Sequence, residues 1–383
     1  MSKLSQPFAL ASCMNKKAKN EMIFLLGLAT FASLIVKRKR VAATLAFGAG
    51  ALALSKWEEP DSFRGQSVVI TGGSRGLGLA LAKRLVTEGA YVHLLARDAE
   101  ELARAELMLV SYGSADQINT MACDITQPEE LANAIRQVTE KSGSIDMLIN
   151  NAGAILVGPF DAMILADFEA QMNLHLYANI NATKEVLPYF RRQKHGRIVN
   201  ICSMGGKVAV PHMLPYDTSK FALAGFSQGI TAELARENIS VTTVYPATMR
   251  TGSPIQAVFK GDAEQEFAWF ANADVMPGLS IGANEVAEKI IEAARDRRAE
   301  LVPSRMARTR LIFGTLFPEL ALTFMGMINR LLPRGQSQQY RTGAQCKTDR
   351  SYLLDSLEQT AHDAEIDLNQ TEKTDPQFNL GLH

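Results

Sequence analysis

Three side chains in the middle of the chain have the residue types and spacing for proton transfer at an alcohol or a ketone. Tyr216 and Lys220 are four residues apart, which places both on one face of a helix. A free tyrosine has a pKa of about 10, and a neighbouring ammonium group lowers that pKa because it favours the phenolate. Ser203, thirteen residues before Tyr216, adds a hydroxyl that can hold the substrate oxygen. We therefore predict that Tyr216 is the general acid and base and that Lys220 tunes it.

A glycine-rich turn far upstream has the form of a phosphate-binding site for a dinucleotide. Gly72, Gly76 and Gly78 follow an apolar run and precede a segment of helical spacing. Glycines allow close backbone approach, and the start of a helix offers free N–H groups and a positive dipole end. An ordinary strand–helix turn is the alternative, because a glycine pattern alone is a weak signal. The cofactor-binding residues predicted in this turn are Gly72, Ser74, Arg75, Gly76, Leu77 and Gly78.

Two arginines near this turn favour NADP(H) over NAD(H). A site for NAD(H) usually has an acidic residue after its second strand, where it binds the ribose 2′-hydroxyl. Ala96 and Arg97 occupy that place here, and Arg75 lies in the glycine turn. Two guanidinium groups can hold a 2′-phosphate through charge-assisted hydrogen bonds. The alternative is that either arginine is a solvated surface charge.

The elements that must position these residues lie in residues 61–305, where apolar strands alternate with helical spacing. This alternation predicts an α/β fold in which helices cover both faces of a parallel sheet. Ligands of such sheets bind at the carboxyl ends of the strands, and the glycine turn, Arg97 and Ser203 all follow predicted strands. The predicted strands are 67–71, 92–95, 118–122, 147–149, 197–201 and 241–244, with helices between them that include 79–88 and 100–110.

Together these motifs resemble those of the classical short-chain dehydrogenase/reductases. TGGSRGLG at 71–78, NNAG at 150–153, Ser203 and YDTSK at 216–220 stand in the family's order. The resemblance covers residues 64–304 and implies a Rossmann-like, doubly wound parallel sheet in a single catalytic domain. It also implies hydride transfer to or from nicotinamide, and assembly as a homodimer or homotetramer.

The resemblance implies further cofactor contacts. Asp124 and Ile125 would flank the adenine, and Lys220 would also bind the nicotinamide ribose. Thr251, after Pro246, would approach the nicotinamide carboxamide. The cofactor-binding residues implied outside the glycine turn are Arg97, Asp124, Ile125, Asn151, Ala152, Gly153, Tyr216, Lys220 and Thr251.

Two positions depart from the family's pattern. The family's fourth catalytic residue is an Asn whose backbone carbonyl holds a proton-relay water, and counting back from Pro188 places His175 there. A histidine backbone can serve equally, so His175 is a catalytic candidate, and its ring can alter the relay. The alternative is that His175 only packs the helix. The usual Pro-Gly after the sixth strand is Pro246-Ala247, and alanine is mildly costly if that backbone requires a positive φ.

The N-terminal residues 1–60 differ from the body in charge and hydropathy. They hold nine Lys and Arg against three acids, and a basic cluster separates two apolar runs at 22–36 and 41–54. Each run is shorter than the roughly 20 residues of a membrane-spanning helix. We therefore expect a membrane anchor in the form of a short span, a shallow hairpin or an interfacial helix, with the catalytic domain on the cytoplasmic side. A cleaved signal peptide and a buried helix pair are the alternatives.

The C-terminal residues form two further regions. Residues 306–334 are strongly apolar, which predicts either a lid or membrane-surface helix beside the site or a buried helix pair. Residues 335–383 hold four bases against eight acids, which predicts a largely disordered tail with one short helix near 350–364. The zero net charge of the whole chain argues against a general nucleic-acid binder. Four widely spaced cysteines without a CxxC pair argue against a metal site or a disulfide framework.

The segment after Thr251 is rich in large apolar residues, which suits a lipophilic substrate or, alternatively, a packed core. These residues are Phe259, Phe267, Trp269, Phe270 and Met276, with Met213 and Leu214 before Tyr216. The sequence as a whole predicts a membrane-associated, NADP(H)-dependent oxidoreductase that reduces a lipophilic ketone or aldehyde. An NAD(H)-dependent alcohol dehydrogenase is one alternative. A membrane-tethered, non-catalytic nucleotide-binding or scaffold protein is the other, because a fold alone never proves an activity.

Overall fold

The computed structural model describes residues 16–35, 41, 43–46, 49, 62–276, 280–347, 355–370 and 380. The chain divides into two compact units, residues 1–62 with 295–298 and residues 63–294 with 299–383. The first unit contains helix α1 (Lys16–Ile35), which covers most of the first apolar run and exposes large apolar side chains such as Phe24 and Phe31. Most of the second apolar run lies outside the described residues.

The second unit is built on a seven-stranded parallel sheet. Its strands are β1 (Ser67–Thr71), β2 (Tyr91–Ala96), β3 (Ile118–Ala122), β4 (Met147–Asn150), β5 (Gly196–Ile201), β6 (Ile239–Val244) and β7 (Glu300–Leu301). The strand order is β7-β6-β5-β4-β1-β2-β3, and every neighbouring pair is parallel. The predicted doubly wound sheet is therefore confirmed. Strand β7 is not predicted from the sequence, because two residues are too few to show a pattern.

Strand β1 is buried along its whole length because its side chains enter two apolar cores on opposite faces of the sheet. Val68 and Ile70 belong to one core, and Val69 belongs to the other. Each such buried side chain contributes about 1.5–3 kcal/mol to folding. A continuous apolar run is therefore what a central parallel strand requires, and this run places the glycine turn at a fixed edge of the sheet.

Helices cover both faces of this sheet. They are α2 (Gly76–Thr87), α3 (Ala99–Leu109), α4 (Pro128–Ser142), α5 (Leu165–Met172), α6 (Ala178–Gln193), α7 (Leu214–Leu234), α8 (Ala263–Val275) and α9 (Ala283–Arg295). Helices α2, α3 and α9 pack in the core with Val68, whereas α4 and α6 pack in the core with Val69. A π-helical turn, Asn173–Tyr177, joins α5 to α6.

The apolar residues after β7 form an exposed helix pair, α10 (Arg305–Leu316) and α11 (Pro318–Asn329). Only Ala307 of the pair is buried, so the alternative of a buried helix pair is wrong. The exposed large side chains are Met306, Ile312, Phe313, Leu316, Phe317, Leu320, Leu322, Phe324 and Met327. Within the described part of the chain, no single helix is long and apolar enough to cross a membrane. Helices α10 and α11 reach that length and composition only together, with a bend of 116°.

The prediction of a largely disordered tail is wrong over residues 335–347 and 355–370. Strand Arg341–Thr342 pairs with Val258–Phe259 and is followed by α12 (Gly343–Cys346). Helix α13 (Asp355–Asp367) takes the place of the short helix predicted near 350–364. The tail folds because a few of its residues, among them Thr342, Cys346 and Leu368, are buried against the body, which an average over composition does not reveal.

A buried ion pair connects the C-terminal extension to the body. Lys260 Nζ lies 2.8 Å from Asp167 Oδ2, and both side chains are fully buried. The Tyr340 hydroxyl donates to Asp167 Oδ1 at 2.8 Å, and the Lys260 ammonium lies 4.2 Å from the centroid of the Tyr340 ring. Buried charges require partners of this kind, because unpaired they would lose hydration without compensation.

Candidate functional site

The end of β5 and the first turns of α7 hold the three predicted catalytic residues. Ser203 follows β5 with extended backbone, and its hydroxyl accepts a hydrogen bond from the Gly205 N–H at 3.0 Å. Lys220 Nζ lies 5.6 Å from the centroid of the Tyr216 ring. The Tyr216 hydroxyl interacts with the Ser203 side chain. The structure therefore brings Ser203, Tyr216 and Lys220 together, as the spacing on α7 predicts.

Burial dominates the ionisation of this group. It raises the pKa of Tyr216 well above the ordinary value, while the hydrogen bond with Ser203 lowers it. Burial also lowers the pKa of Lys220 to about 8, because a desolvated ammonium is less stable than a hydrated one. Lys220 Nζ donates to the Ile201 carbonyl oxygen at 3.1 Å, so one of its three N–H donors is bound to the end of β5. The expected lowering of the Tyr216 pKa by Lys220 is not what this arrangement produces.

His175 is fully buried beside Tyr216, and both of its ring nitrogens are hydrogen-bonded. Nε2 accepts from the Ala154 N–H at 3.3 Å, so the proton of the neutral ring is on Nδ1. Nδ1 then donates to the Ser219 hydroxyl at 2.7 Å, and Ser219 donates to the Tyr216 carbonyl oxygen at 2.6 Å. Burial and the nearby Lys220 hold the pKa of His175 well below its ordinary value. The ring meets the Tyr216 ring edge-on, with 5.3 Å between centroids.

The backbone carbonyl of His175 lies in the π-helical turn, where the regular helical hydrogen bonding changes. The Asn179 side chain donates to this carbonyl oxygen at 2.7 Å. A carbonyl oxygen has two lone pairs, so the Asn179 side chain alone does not exhaust its capacity to accept hydrogen bonds. Sequence reasoning identified His175 by position but missed Asn179 and Ser219, because their roles depend on contacts across a helical turn and between helices.

The backbone of the glycine turn packs too tightly for side chains. Because the glycines carry none, a dinucleotide can approach this backbone closely. A Cβ atom on Gly78 would lie 2.1 Å from the Gly72 carbonyl oxygen, and Gly72 itself has a φ of +64°. Asn151 donates from its side-chain amide to the Thr71 and Gly72 carbonyl oxygens at 3.0 and 2.9 Å. This close packing joins the ends of β1 and β4, where the strand order reverses and ligands of such sheets bind.

The residues predicted to hold a 2′-phosphate form a charged cluster around a carboxylate. Arg75 Nη1 lies 2.9 Å from Glu101 Oε1, and the Ser74 hydroxyl donates to Glu101 Oε2 at 3.1 Å. Burial lowers the pKa of Arg97. The nearby carboxylates of Asp124 and Glu101 raise that pKa and the charge of Arg75 lowers it, so these four charges lie together. The predicted pair of arginines is therefore present, but Arg75 is paired with a carboxylate that sequence reasoning missed.

The remaining predicted cofactor residues line the same edge of the sheet. Asp124 accepts from the Thr126 N–H and hydroxyl, and Ile125 is buried. A side chain at Gly153 would meet His175 Nε2 at 3.0 Å, so Gly153 lies against the catalytic candidates. Thr251 is buried and accepts from the Ser253 N–H at 3.2 Å.

Two features that the sequence singled out have an ordinary structural explanation. Ala247 is not among the described residues with positive φ, so the absent glycine carries no backbone strain. Phe259, Phe267 and Phe270 are buried in a common apolar cluster, which is the packed-core alternative. Of the apolar residues predicted to suit a lipophilic substrate, Leu214 and Met276 are exposed.

The part of the chain that holds the candidate site is similar to known proteins. A family model described as short chain dehydrogenase matches residues 66–258, about half of the chain. The chain belongs to the short chain dehydrogenase family. It is 35% identical over 190 residues to Oxidoreductase BOA17 of Botryotinia fuckeliana. The matched region covers 49% of this chain and 68% of that protein.

Two other members of the family are informative. The chain is 30% identical over 191 residues to 3-ketodihydrosphingosine reductase of Bos taurus, a match that covers 49% of this chain and 58% of the length of that relative. It also resembles the crystal structure of a metagenomic short-chain oxidoreductase in complex with NADP. That likeness has a TM-score of 0.52 and 28% identity, and it covers 63% of this chain and 98% of the other.

We predict that Lys220 makes the free energy of unfolding rise with pH. Its pKa is about 8 in the folded protein against 10.5 ordinarily, so the unfolded chain binds more protons between these values. The cost of burying the charge is present below pH 8 and is relieved as the pH rises to 10.5. In urea unfolding, the free energy of unfolding of the wild type should rise by up to about 3 kcal/mol relative to that of Lys220→Met between pH 8 and pH 10.5.

The neighbouring substitution Phe221→Met changes an exposed apolar residue of the same helix and serves as the control. The difference in free energy of unfolding between Phe221→Met and the wild type should not change with pH. If the difference between Lys220→Met and the wild type were equally independent of pH, the prediction would be contradicted.

Proposed function

We propose that this protein is an NADP(H)-dependent oxidoreductase that reduces a lipophilic ketone or aldehyde to an alcohol at a membrane surface. The observation that carries the proposal is the placement of Ser203, Tyr216 and Lys220 at the edge of the sheet that also holds the glycine turn. Residues 66–258, which match the family model, include all of these groups.

The raised pKa of Tyr216 suits the direction of reduction. A phenol that stays protonated at neutral pH can donate its proton to the oxygen of a carbonyl as negative charge develops there. Ser203 would hold the same oxygen through its hydroxyl. When bound, NADPH supplies the hydride, and Lys220 would hold its nicotinamide ribose and keep positive charge near the phenol.

His175 acts in this proposal as a positioning residue. Its hydrogen bonds to the Ala154 N–H and, through Ser219, to the Tyr216 backbone fix the start of α7 against the loop after β4. The neutral ring places no second positive charge beside Lys220. A proton-relay water would share the carbonyl oxygen of His175 with the Asn179 side chain, which already donates to it.

The preference for NADP(H) rests on the charged cluster after β2. Arg75 and Arg97 would approach a 2′-phosphate, with Ser74 as a further donor. Glu101 now accepts from Arg75 and Ser74, so a bound phosphate would have to replace that carboxylate as their partner. The metagenomic structure named above was solved with NADP.

The exposed helix pair α10–α11 supports a lipophilic substrate and a membrane surface. Two adjacent helices with only one buried residue between them leave a large apolar surface that water solvates poorly. Arg305, Arg308 and Arg310 at one end and Arg330 at the other would contact anionic lipid headgroups. The bovine relative is named for the reduction of a keto group in a lipid, dihydrosphingosine. The N-terminal anchor, the cytoplasmic side and a homodimer or homotetramer remain parts of the proposal.

A test of the activity is NADPH oxidation in mild detergent with long-chain, retinoid-like and steroid-like carbonyls. Tyr216→Phe keeps the ring packed against His175 but removes the acid, so kcat should fall at least 100-fold. The affinity for NADPH should change less than about tenfold, because Tyr216 is one of several predicted cofactor contacts and the loss of one hydrogen bond costs about 0.5–1.5 kcal/mol.

Tyr177→Phe is the control, because Tyr177 is exposed in the adjacent π-helical turn, and its turnover should match the wild type. Undiminished turnover by Tyr216→Phe would contradict the proposed mechanism. Tight NADPH binding without turnover of any carbonyl would instead favour a non-catalytic nucleotide-binding protein.

The cofactor preference is tested by Arg97→Asp. Loss of a charge-assisted contact and addition of a negative charge should weaken NADPH binding by about 10- to 100-fold, while NADH binding is unchanged or improved. Fluorescence titration of the reduced nicotinamide measures both. Arg136→Asp on the exposed side of α4 is the matched control. Equal NADPH affinity in Arg97→Asp and the wild type would favour an NAD(H)-dependent enzyme.

The membrane contact is tested by replacing Leu316 and Phe324 together with Asp. The test uses protein without residues 1–56, so that the proposed N-terminal anchor cannot contribute. At limiting amounts of vesicles of phosphatidylcholine and phosphatidylglycerol, the double variant should cosediment at least tenfold less than the same protein with Leu316 and Phe324 intact, because it places charge in the apolar contact. Leu107→Asp changes an equally exposed leucine on α3 and should not alter binding. Equal binding by the double variant would exclude α10–α11 as a membrane contact.

A further inference from the structure

The residues after α13 occupy a hydrogen-bonding position that a dinucleotide phosphate requires. Gly76 is the first residue of α2, and its N–H donates to the Leu368 carbonyl oxygen at 2.9 Å. The N–H groups at a helix start are the donors that bind phosphate. A second contact lies on the same side, since a Cβ atom on Gly76 would meet Gln370 Nε2 at 3.2 Å.

Asn369 fastens this segment to the glycine turn. Its side-chain amide donates to the Ser74 carbonyl oxygen at 2.8 Å and to the Glu101 carbonyl oxygen at 2.9 Å. Its side-chain oxygen accepts from Arg104 Nε at 3.2 Å. The residue is buried and has a φ of +54°, a conformation that asparagine tolerates better than most residues. Three hydrogen bonds therefore depend on one side chain at the predicted 2′-phosphate site.

Helix α13 extends from this point toward the other end of the predicted cofactor path. A Cβ atom on Gly252 would lie 2.8 Å from Glu365 Cα, so the helix backbone presses directly against the residue that follows Thr251. Leu368 is buried in the same apolar core as β1 and α2. The segment is thus packed against both the glycine turn and the neighbourhood of Thr251.

We infer that residues 355–370, here called the tail segment, are an internal competitor of the dinucleotide. This inference rests on the proposed function, because it requires that NADP(H) bind at the glycine turn. The Leu368 carbonyl and a phosphate oxygen cannot both accept from the Gly76 N–H at full strength. The tail segment must therefore leave the turn before the cofactor binds, and it lowers the apparent affinity by the fraction of molecules in which it is docked.

A competitor and a lid that closes over bound cofactor differ in the sign of their effect. Removal of a competitor strengthens cofactor binding, whereas removal of a lid weakens it. The contact between the Gly76 N–H and Leu368 favours the competitor, because a lid would leave that donor to the phosphate.

The experiment measures the dissociation constant of NADPH by fluorescence titration of the full-length protein. Asn369→Gly keeps the positive φ but removes three hydrogen bonds, and Leu368→Asp expels the buried anchor. Both should bind NADPH at least tenfold more tightly than the wild type. Gln359→Ala is the control, because the Gln359 side chain bonds within α13 to Asp363, and its affinity should match the wild type.

A second readout follows the tail segment itself in the wild type. Saturating NADPH should increase the rate of cleavage after Glu365 by a glutamyl endoprotease at least tenfold. Unchanged or weaker NADPH binding in Asn369→Gly and Leu368→Asp, or a cleavage rate that NADPH does not raise, would overturn the inference while leaving the proposed function intact. Absence of saturable NADPH binding in every form would overturn both.

Discussion

At the ends of β1 and β4 two stretches of backbone approach so closely that only glycine fits between them. Gly78 packs on the Gly72 carbonyl, and the Asn151 side-chain amide donates to the same carbonyl oxygen. The strand order reverses at this junction, so it opens the crevice in which a parallel sheet binds its ligand. The junction also fixes the edge of the sheet at which Ser203 and the arginines near β2 follow their strands.

The parts of the site that could be predicted are those encoded by local spacing. The glycine turn, the pair Tyr216 and Lys220, and six of seven strands follow from patterns that span fewer than twenty residues. The pairing of Arg75 with Glu101 could not be predicted, because it joins residues 26 positions apart whose side-chain directions depend on packing. The docking of Asn369 at Ser74 spans 295 positions, and the composition of the tail gave no sign of it.

Burial also reverses an electrostatic expectation based on spacing alone. A lysine four residues from a tyrosine lowers its pKa only when its charge outweighs the loss of hydration. Here Lys220 is buried and Tyr216 is partly buried, and desolvation favours the uncharged form of each. His175, held neutral, adds no charge to the pair. The site thus maintains a protonated phenol, and the strength of that effect depends on depth in the fold, which no spacing rule contains.

The buried pair of Asp167 and Lys260 places a constraint on how such chains can diverge. Tyr340 completes the hydrogen bonding of Asp167 from a part of the chain that lies well beyond residue 258, where the family match ends. A relative that lost the C-terminal extension would keep two charges in its interior with one donor missing. Positions 167, 260 and 340 should therefore covary, with apolar residues at the first two wherever the extension is absent.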